Sequence, residues 1–240
     1  MSQTKTYELY AYGLSDIGCV RKNNEDVWRA LVDERFFVLA DGMGGYKAGE
    51  VAAREAVDAL STLFKQAFHK VDAMNLEEAK YFIKRSVQEV NTLVHLRARA
   101  RHDWKGMGTT LCCLQLHSQG VICSHVGDSR IYLYRKQRLT QLTRDHSLAK
   151  KQSTEGCRHV ITKAIGTEPK VTPSVKALDL KLNDIYLLCS DGLTDMVSKE
   201  TIELILQNEE TIELAAHALV SEAKRAGGYD NVSLVLVQVR

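Results

Sequence analysis

Several aspartates of this chain stand at the ends of apolar segments, where a charged side chain is unexpected. The run "FFVLADGMGG" leads into Asp41 and Gly42, and "DIYLLCSDG" leads into Asp191 in the same way. Asp128 lies in the short turn of "VICSHVGDSR", and Asp230 directly precedes the apolar "NVSLVLV". A carboxylate at the end of a buried strand is costly to desolvate unless a cation lies against it. These aspartates are therefore candidate metal ligands.

A second group of candidates lies upstream in "RKNNED", which contains Arg21, Glu25 and Asp26 just before the strand-like "VWRALV". In an antiparallel sheet the end of one strand lies beside the start of its neighbour, so these acids can collect on one rim. Clustered carboxylates raise one another's pKa unless cations neutralise them. Ligation by oxygen alone suits Mg²⁺ or Mn²⁺ better than zinc. The chain has no H-E-x-x-H motif and no calcium-loop spacing that would favour another metal.

The elements that must position these residues are indicated by hydrophobic periodicity. Strand-like segments come in runs, and helical patterns come in pairs between them, at about 48–63 and 76–94 and again at about 198–206 and 210–226. This order favours an α+β fold with largely antiparallel sheets over a doubly wound fold. The segments "TTLCCLQL", "GVICSHVG" and "SRIYLYRK" are joined by very short turns, which predicts an antiparallel meander of three strands.

Composition excludes several classes of protein. The chain has 240 residues, 45% of them hydrophobic and 26% charged, which suits one domain spanning 1–240. A net charge of +2 does not indicate nucleic acid or an anionic membrane as the main partner. We find no secretory signal and no apolar run long enough to span a membrane, and we expect a cytoplasmic protein. The six cysteines lack zinc spacing and are expected to be mostly core residues in a reducing compartment.

Eight motifs occur in one order along the chain: "GLSDIGCVRKNNED", "VLADGMGG", "GMGTT", "VGDSRIYLY", "LTRDHS", "ITKAIG", "YLLCSDGLTD" and "GGYDNVSLVLV". In this order they resemble the PPM, or PP2C-like, metal-dependent serine/threonine phosphatases, and most of all the small stand-alone bacterial members. The resemblance covers about residues 13–237. It implies a central β-sandwich of two mostly antiparallel sheets flanked by pairs of α-helices, a four-layer αββα arrangement.

The resemblance also implies roles for the acidic residues. Asp41 would bridge two Mn²⁺ or Mg²⁺ ions, and the carbonyl of Gly42 would bind one of them. Asp191 and Asp230 would hold the first ion, and Glu25 would lie beside the second. A water activated by the two ions would then hydrolyse the phosphomonoester directly, because two divalent ions lower the pKa of a shared water and stabilise an in-line displacement.

Other positions carry supporting roles in the family. Asp26 would be an outer-shell partner that orients metal-bound water, and Arg21 matches the arginine that binds the substrate phosphate. Asp128 matches a position that binds a third, weaker ion in several relatives, with Glu155 as an unsupported candidate for its second ligand. Met43 replaces the histidine that animal relatives carry, so the leaving-group proton would come from metal-bound water or solvent.

The resulting hypothesis is a protein serine/threonine phosphatase that acts on phosphorylated proteins, opposes a Hanks-type kinase and works as a monomer. Two alternatives stay open at this point. One is a pseudophosphatase-like module that binds a phosphoprotein without turnover, and the other is a phosphatase of a small phosphorylated metabolite. The presence of every core ligand candidate disfavours the first alternative, and nothing in the sequence excludes the second.

Four other features receive structural interpretations. The basic stretch "HLRARARHDWKG" is expected to be a solvated helix end, with a docking patch for an acidic phosphopeptide as the alternative. His146 is expected to make a structural hydrogen bond. Ser129 and Ser190 have no base placed to activate them as nucleophiles, and Thr109 and Thr110 are expected to hydrogen-bond locally.

Overall fold

The computed structural model describes residues 7–44, 48–148 and 160–240. The strands are β1 Leu9–Asp16, β2 Asp26–Leu31, β3 Phe36–Met43, β4 Gly108–Thr109, β5 Leu111–His117, β6 Gly120–Val126, β7 Arg130–Arg135, β8 Arg138–Gln141, β9 Ser147–Leu148, β10 Val160–Ile161, β11 Ser174–Leu178, β12 Ile185–Cys189 and β13 Val232–Val239. The helices are α1 Ala48–Ala73, α2 Leu76–Ala100, α3 Asp191–Thr194, α4 Lys199–Asn208 and α5 Ile212–Arg225. A short 3₁₀ turn, His102–Trp104, follows α2.

Two antiparallel sheets form the centre of the molecule. The first has the strand order β1-β13-β12-β7-β8, and the second has the order β11-β6-β5-β3-β2, with β4 added beside β3. The inner faces of both sheets pack together through side chains such as Leu39, Leu114, Tyr186 and Val235. Strands β3, β5 and β13 are buried on both faces, which explains why they read as continuous apolar runs.

Helices cover the outer face of each sheet. α1 and α2 pack on the second sheet through residues that include Val57, Leu60 and Ile83. α4 and α5 pack on the first sheet through residues that include Ile202 and Leu219. The predicted α+β fold with a four-layer αββα arrangement is therefore confirmed.

The helix boundaries follow from capping residues that the periodic patterns did not specify. Asn75 accepts a hydrogen bond from the Glu78 amide while the Glu78 side chain accepts one from the Asn75 amide, a reciprocal capping box. Ser198 and Thr211 cap α4 and α5 in the same position. The predicted helices are confirmed, and α1 and α2 extend further toward their carboxyl ends than the patterns indicated.

The predicted three-stranded meander is wrong for its third strand. β5 and β6 pair as expected, but β7 pairs with β12 and β8 in the other sheet. Both edges of β6 are already paired, with β5 and with β11. Gly127, with φ of 102°, turns the chain out of the second sheet, and the link at Asp128 and Ser129 carries it into the first.

The described cysteines are mostly buried, as the sequence predicted. Cys112, Cys113, Cys123 and Cys189 are buried thiols, Cys19 is exposed, and Cys157 lies outside the described residues. Among the described helices none is both long enough and apolar enough to cross a membrane.

Candidate active site

Hydrogen bonds with two threonines fix the backbone of Asp41 near the end of β3. Its amide donates to the Thr110 hydroxyl at 2.9 Å, and its carbonyl accepts from the Thr109 hydroxyl and the Thr110 amide, both at 2.8 Å. Both threonines are buried. The expected local hydrogen bond joins the Thr109 hydroxyl to the Thr110 carbonyl at 2.9 Å, but both threonines also bond to Asp41, which is distant in sequence and was not predicted as their partner. With its backbone groups satisfied in this way, the Asp41 carboxyl can face the rim without the strand fraying.

Gly42 is required by the close approach of two backbone segments. A Cβ atom at Gly42 would lie 2.2 Å from the carbonyl oxygen of Gly49, at the start of α1. The Gly42 amide donates to the carbonyl of Glu25 at 3.1 Å. Gly42 therefore allows β3, the start of α1 and the Glu25 loop to come into contact.

Asp26 lies directly opposite Asp41 in the β2–β3 register. One of its carboxyl oxygens accepts a hydrogen bond from Ser190 at 2.8 Å, and the other, Oδ1, is buried with no hydrogen-bond partner. Ser190 in turn accepts from the Ser233 amide at 3.0 Å. The Ser190 hydroxyl is therefore used to position Asp26, which is a structural and not a nucleophilic role.

Asp191 opens the short helix α3, two residues after the last residue of β12. Asp195 lies one turn further on, and its amide donates to the Asp191 carbonyl at 2.7 Å. A Cβ atom at Gly192 would lie 1.9 Å from the carbonyl oxygen of Asn231, which shows how closely α3 approaches the segment of Asp230. Asp195 is an acidic neighbour that sequence reasoning missed, although a spacing of four residues on a helix could have indicated it.

Arg21 and Asp230 form an ion pair with 2.6 Å between Nη2 and Oδ2, and 52% of the Arg21 side chain and 37% of the Asp230 side chain are exposed. The other Asp230 oxygen accepts from the Asn231 amide at 2.8 Å. The structure thus places the predicted phosphate-binding arginine at the rim, paired with a predicted metal ligand.

Asn231 connects the two loops of the rim and was also missed by sequence reasoning. Its side-chain oxygen accepts from the Glu25 amide, and its side-chain nitrogen donates to the carbonyls of Ile17 and Asn23, all at 2.9 Å. The one sequence feature that could have indicated Asn231 was its position directly after Asp230 in "GGYDN". Glu25 itself accepts from the Asn23 side chain at 2.9 Å.

The carboxyl groups at the rim are close enough to raise one another's pKa values. Burial, followed by the charges of Asp26, Asp191, Asp230 and Asp128, raises the pKa of Asp41 well above its usual value. Burial also raises the pKa of Asp191 to about 8, with the charge of Asp128 as the next cause. For Asp26 burial outweighs the hydrogen bond from Ser190 and raises the pKa to about 7.

Glu25 and Arg21 flank these aspartates, and their pKa values are shifted as well. Burial raises the pKa of Glu25, and the neighbouring charge of Arg21 opposes that shift. Burial acts to lower the pKa of Arg21, but the charge and hydrogen bond of Asp230 outweigh it and raise the value. The site therefore strongly favours additional positive charge.

The residues present fit a pair of divalent cations. All the side-chain donors are oxygens, the buried Oδ1 of Asp26 has no partner, and ions would relieve the repulsion that raises these pKa values. Within the described ranges no three Asp, Glu, His or Cys side chains already stand close enough to hold an ion. Ion binding would therefore draw carboxylates closer together and would compete with Arg21 for Oδ2 of Asp230.

The remaining predicted positions are only partly covered. Asp128 lies in the β6–β7 link and contributes to the field at Asp41 and Asp191. Glu155 lies outside the described residues. Met43 pairs with Gly108 in the β3–β4 ladder, which is a packing position.

His146 and Ser129 have structural roles. The His146 ring contacts the Gly127 amide at 3.2 Å and the Ser174 hydroxyl at 3.0 Å. Burial, followed by the charge of His125, lowers the pKa of His146 to about 4, which makes it a poor general acid near neutral pH. Ser129 shares a 2.6 Å hydrogen bond with Thr110.

Comparison with known proteins gives a consistent result. The profile of the family described as "Protein phosphatase 2C" matches residues 21–222. The chain is 34% identical to the serine/threonine phosphatase stp of Listeria monocytogenes, over 96% of both chains. It is 37% identical to the serine/threonine protein phosphatase PstP of Mycobacterium tuberculosis, over 94% of this chain and 44% of that longer protein.

A solved structure agrees with these sequence matches. The catalytic domain of PstP, in complex with two manganese ions, superimposes on this chain with a TM-score of 0.84 at 35% identity. The superposition covers 98% of this chain and 99% of that structure.

Proposed function

Since the chain belongs to the protein phosphatase 2C family and is a metal-dependent serine/threonine protein phosphatase of its bacterial type, we propose which of its residues perform the reaction. Asp41, Asp191 and Asp230, with the Gly42 carbonyl, would hold two Mn²⁺ or Mg²⁺ ions, and Glu25 would lie beside the second. The observation on which this proposal depends is the shared field at the rim, where Asp41, Asp26 and Asp191 all have raised pKa values.

Bound ions would act as Lewis acids and would lower the pKa of a bound water enough for it to ionise near neutral pH. The protein would hold the carboxylates in place through the threonine hydrogen bonds to Asp41 and the Ser190 hydrogen bond to Asp26. Asp26, an outer-shell residue in this proposal, would use its second oxygen to orient water at the rim. Met43 has no proton to give, so the leaving group would take its proton from water.

Arg21 would bind the substrate phosphate. Its present partner is Asp230, but both side chains are well exposed, and an exposed ion pair contributes about 1 kcal/mol or less. Arg21 can therefore exchange Asp230 for a phosphate at small cost, and a planar guanidinium suits two phosphate oxygens.

An activity assay tests the ligand assignment. The purified chain should hydrolyse p-nitrophenyl phosphate and a phosphothreonine peptide with Mn²⁺ and stop with EDTA. Asp41→Asn and Asp191→Asn should each lower kcat by about a thousandfold or more, as loss of a main electrostatic group does. Asp58→Asn, which removes a carboxylate within α1 that pairs with Arg29, is the matched control. Near-normal turnover in both rim variants would refute the assignment.

We also propose the finer points that family membership leaves open. The enzyme is proposed to act as one domain spanning 1–240, as a cytoplasmic monomer, on phosphoproteins made by a Hanks-type kinase. A third, weaker ion is proposed near Asp128, because this residue adds to the field at Asp41 and Asp191. The two alternatives, a binding module and a metabolite phosphatase, are disfavoured because the matched relatives are named serine/threonine phosphatases.

A further inference from the structure

A second charged feature lies beside the rim and has no part in the reaction described above. A cavity of about 420 Å³ opens where α2 ends, and its lining includes Arg99, Arg101, His102, Lys105, His95 and Gly166. Among the described residues, no Asp or Glu lines it. We call it the basic cavity.

The cations of the basic cavity have no acidic partner in the part of the chain that the structure describes. Over residues 7–44, 48–148 and 160–240, no carboxylate forms an ion pair with Arg99, Arg101 or Lys105. All three side chains are exposed, and Arg101 stacks over Trp104 with 4.6 Å between its guanidinium carbon and the ring centre. Three uncompensated cations around one concave surface favour an anionic ligand.

The wall of the basic cavity is fixed rather than loose. The buried Asn91 accepts from the Gly166 amide at 2.9 Å and donates to the Glu168 carbonyl at 3.0 Å. His95 donates through Nδ1 to the Gly166 carbonyl at 2.9 Å. A Cβ atom at Gly166 would lie 2.4 Å from Val94, so the segment packs directly on α2.

The same wall is joined to Asp41 by two hydrogen-bonded steps. Ile165, next to Gly166, exchanges backbone hydrogen bonds with Thr109 at 3.0 and 2.8 Å. Thr109 donates its hydroxyl proton to the Asp41 carbonyl at 2.8 Å. From the spacing along and between strands, the Gly166 wall of the basic cavity lies roughly 10–15 Å from Asp41. An extended peptide covers that distance in about three to five residues.

We propose that the basic cavity binds an acidic or phosphorylated side chain of the protein substrate, about three to five residues from the phosphoresidue that is hydrolysed. This inference rests on the proposed function, because it adds a second contact to the same substrate. The helix end predicted to be merely solvated then becomes a specificity determinant. A rigid, concave and unpaired set of cations next to the reaction centre selects substrates by charge at a defined distance.

The test compares two phosphothreonine peptides in Mn²⁺, one with Glu three to five residues on either side of the phosphothreonine and one with Gln at those positions. The unaltered enzyme should prefer the Glu peptide in kcat/KM by about fivefold, the effect of two exposed charge pairs. Arg101→Gln with Lys105→Gln should abolish the preference and leave p-nitrophenyl phosphate hydrolysis unchanged. Lys84→Gln with Arg85→Gln, an equal charge change on the exposed surface of α2, should keep it.

A binding measurement makes the test independent of turnover. A fluorescent Glu peptide with Ala in place of phosphothreonine should bind the EDTA-treated enzyme at low salt, and binding should fall about fivefold in the Arg101→Gln, Lys105→Gln enzyme. Added salt should weaken it, because exposed charges are screened. Lys105→Glu alone should weaken it as well, with the Arg101–Trp104 stack intact.

The outcomes separate the two proposals. Equal turnover of the Glu and Gln peptides by the unaltered enzyme, or a preference that survives in the Arg101→Gln, Lys105→Gln enzyme, would overturn the peptide site. Binding to phosphatidylserine vesicles that is lost in that enzyme, without an effect on the peptides, would assign the basic cavity to a membrane instead. An unaltered enzyme that is inert in Mn²⁺ but still binds the Glu peptide would refute the metal site and support the basic cavity.

Discussion

Without metal, the acidic rim should make the protein less stable as the pH rises from 6.5 to 8. Asp26 and Asp191 have pKa values raised to about 7 and about 8, mainly by burial, and that of Asp41 is raised well above its usual 3.8. In the unfolded chain these groups are ionised above about pH 4. The folded state therefore binds more protons in this window, and the free energy of unfolding falls as the pH rises.

The lower limit of the window is set by the histidines. Burial lowers the pKa of His146 to about 4 and also lowers that of His125. A histidine whose pKa is lowered by folding makes the protein more stable as the pH rises toward its unfolded value, about 6.5. This effect opposes that of the carboxyl groups at lower pH, and it is nearly complete at pH 6.5.

The magnitude follows from proton linkage. Consider one group that is protonated in the folded state and ionised in the unfolded state. A rise of 1.5 pH units then lowers the free energy of unfolding by about 2 kcal/mol. In a chain of this size, that corresponds to a fall in Tm of about 4–8 °C. Because the three carboxyl groups titrate together, we expect at least the effect of one proton.

Thermal unfolding in EDTA, followed by circular dichroism at pH 6.5, 7.2 and 8, measures the slope. Mn²⁺ should raise Tm, because an ion that binds only the folded state stabilises it. The rise should be largest at pH 8, because the ion binds the ionised carboxylates, which are most abundant there. Asp41→Asn should unfold at a higher temperature than the unaltered chain in EDTA at pH 8, and it should lose most of the Mn²⁺ effect. Asp58→Asn, at an exposed ion pair, should keep the full slope.

A Tm in EDTA that stays constant or rises over this pH range would contradict the raised pKa values of the rim. The same slope and the same response to Mn²⁺ in Asp41→Asn as in the unaltered chain would contradict them equally.

Three further predictions concern single residues. Arg21→Ala should raise KM for p-nitrophenyl phosphate about 10- to 100-fold with a smaller change in kcat, the effect of a lost charged hydrogen bond, and an unchanged KM would exclude Arg21 from phosphate binding. Gly42→Ala should destabilise the fold by about 2–3 kcal/mol in chemical denaturation, because its Cβ atom would overlap the Gly49 carbonyl. Gly106→Ala, with positive φ but open space, should cost only about 1 kcal/mol, and equal losses would contradict the steric argument. Asn231→Ala should lower stability by about 2–3 kcal/mol, because it leaves the Glu25 amide and two carbonyls unpaired, and kcat in Mn²⁺ should fall with it.

Much of this protein could be predicted from local sequence. The periodic apolar residues of α1 and α2 and the apolar runs of β3 and β13 identified their elements, because side-chain periodicity is a property of a single helix or strand. The positions of Asp41, Asp191 and Asp230 at strand ends indicated a shared acidic rim, and the order of the motifs indicated the family.

Other features were decided only by tertiary structure. The motif "VGDSR" does not show that β7 joins the opposite sheet, because strand pairing depends on which sheet edges are already occupied. The role of Asn231 depends on contacts more than 200 residues away, with Glu25 and Asn23. The pairing of Arg21 with Asp230 and the raised pKa values of the rim also arise from burial and long-range proximity, which local residue order does not contain. The sequence alone determined which residues can take part in the chemistry, and packing decided which of them meet and how strongly their charges interact.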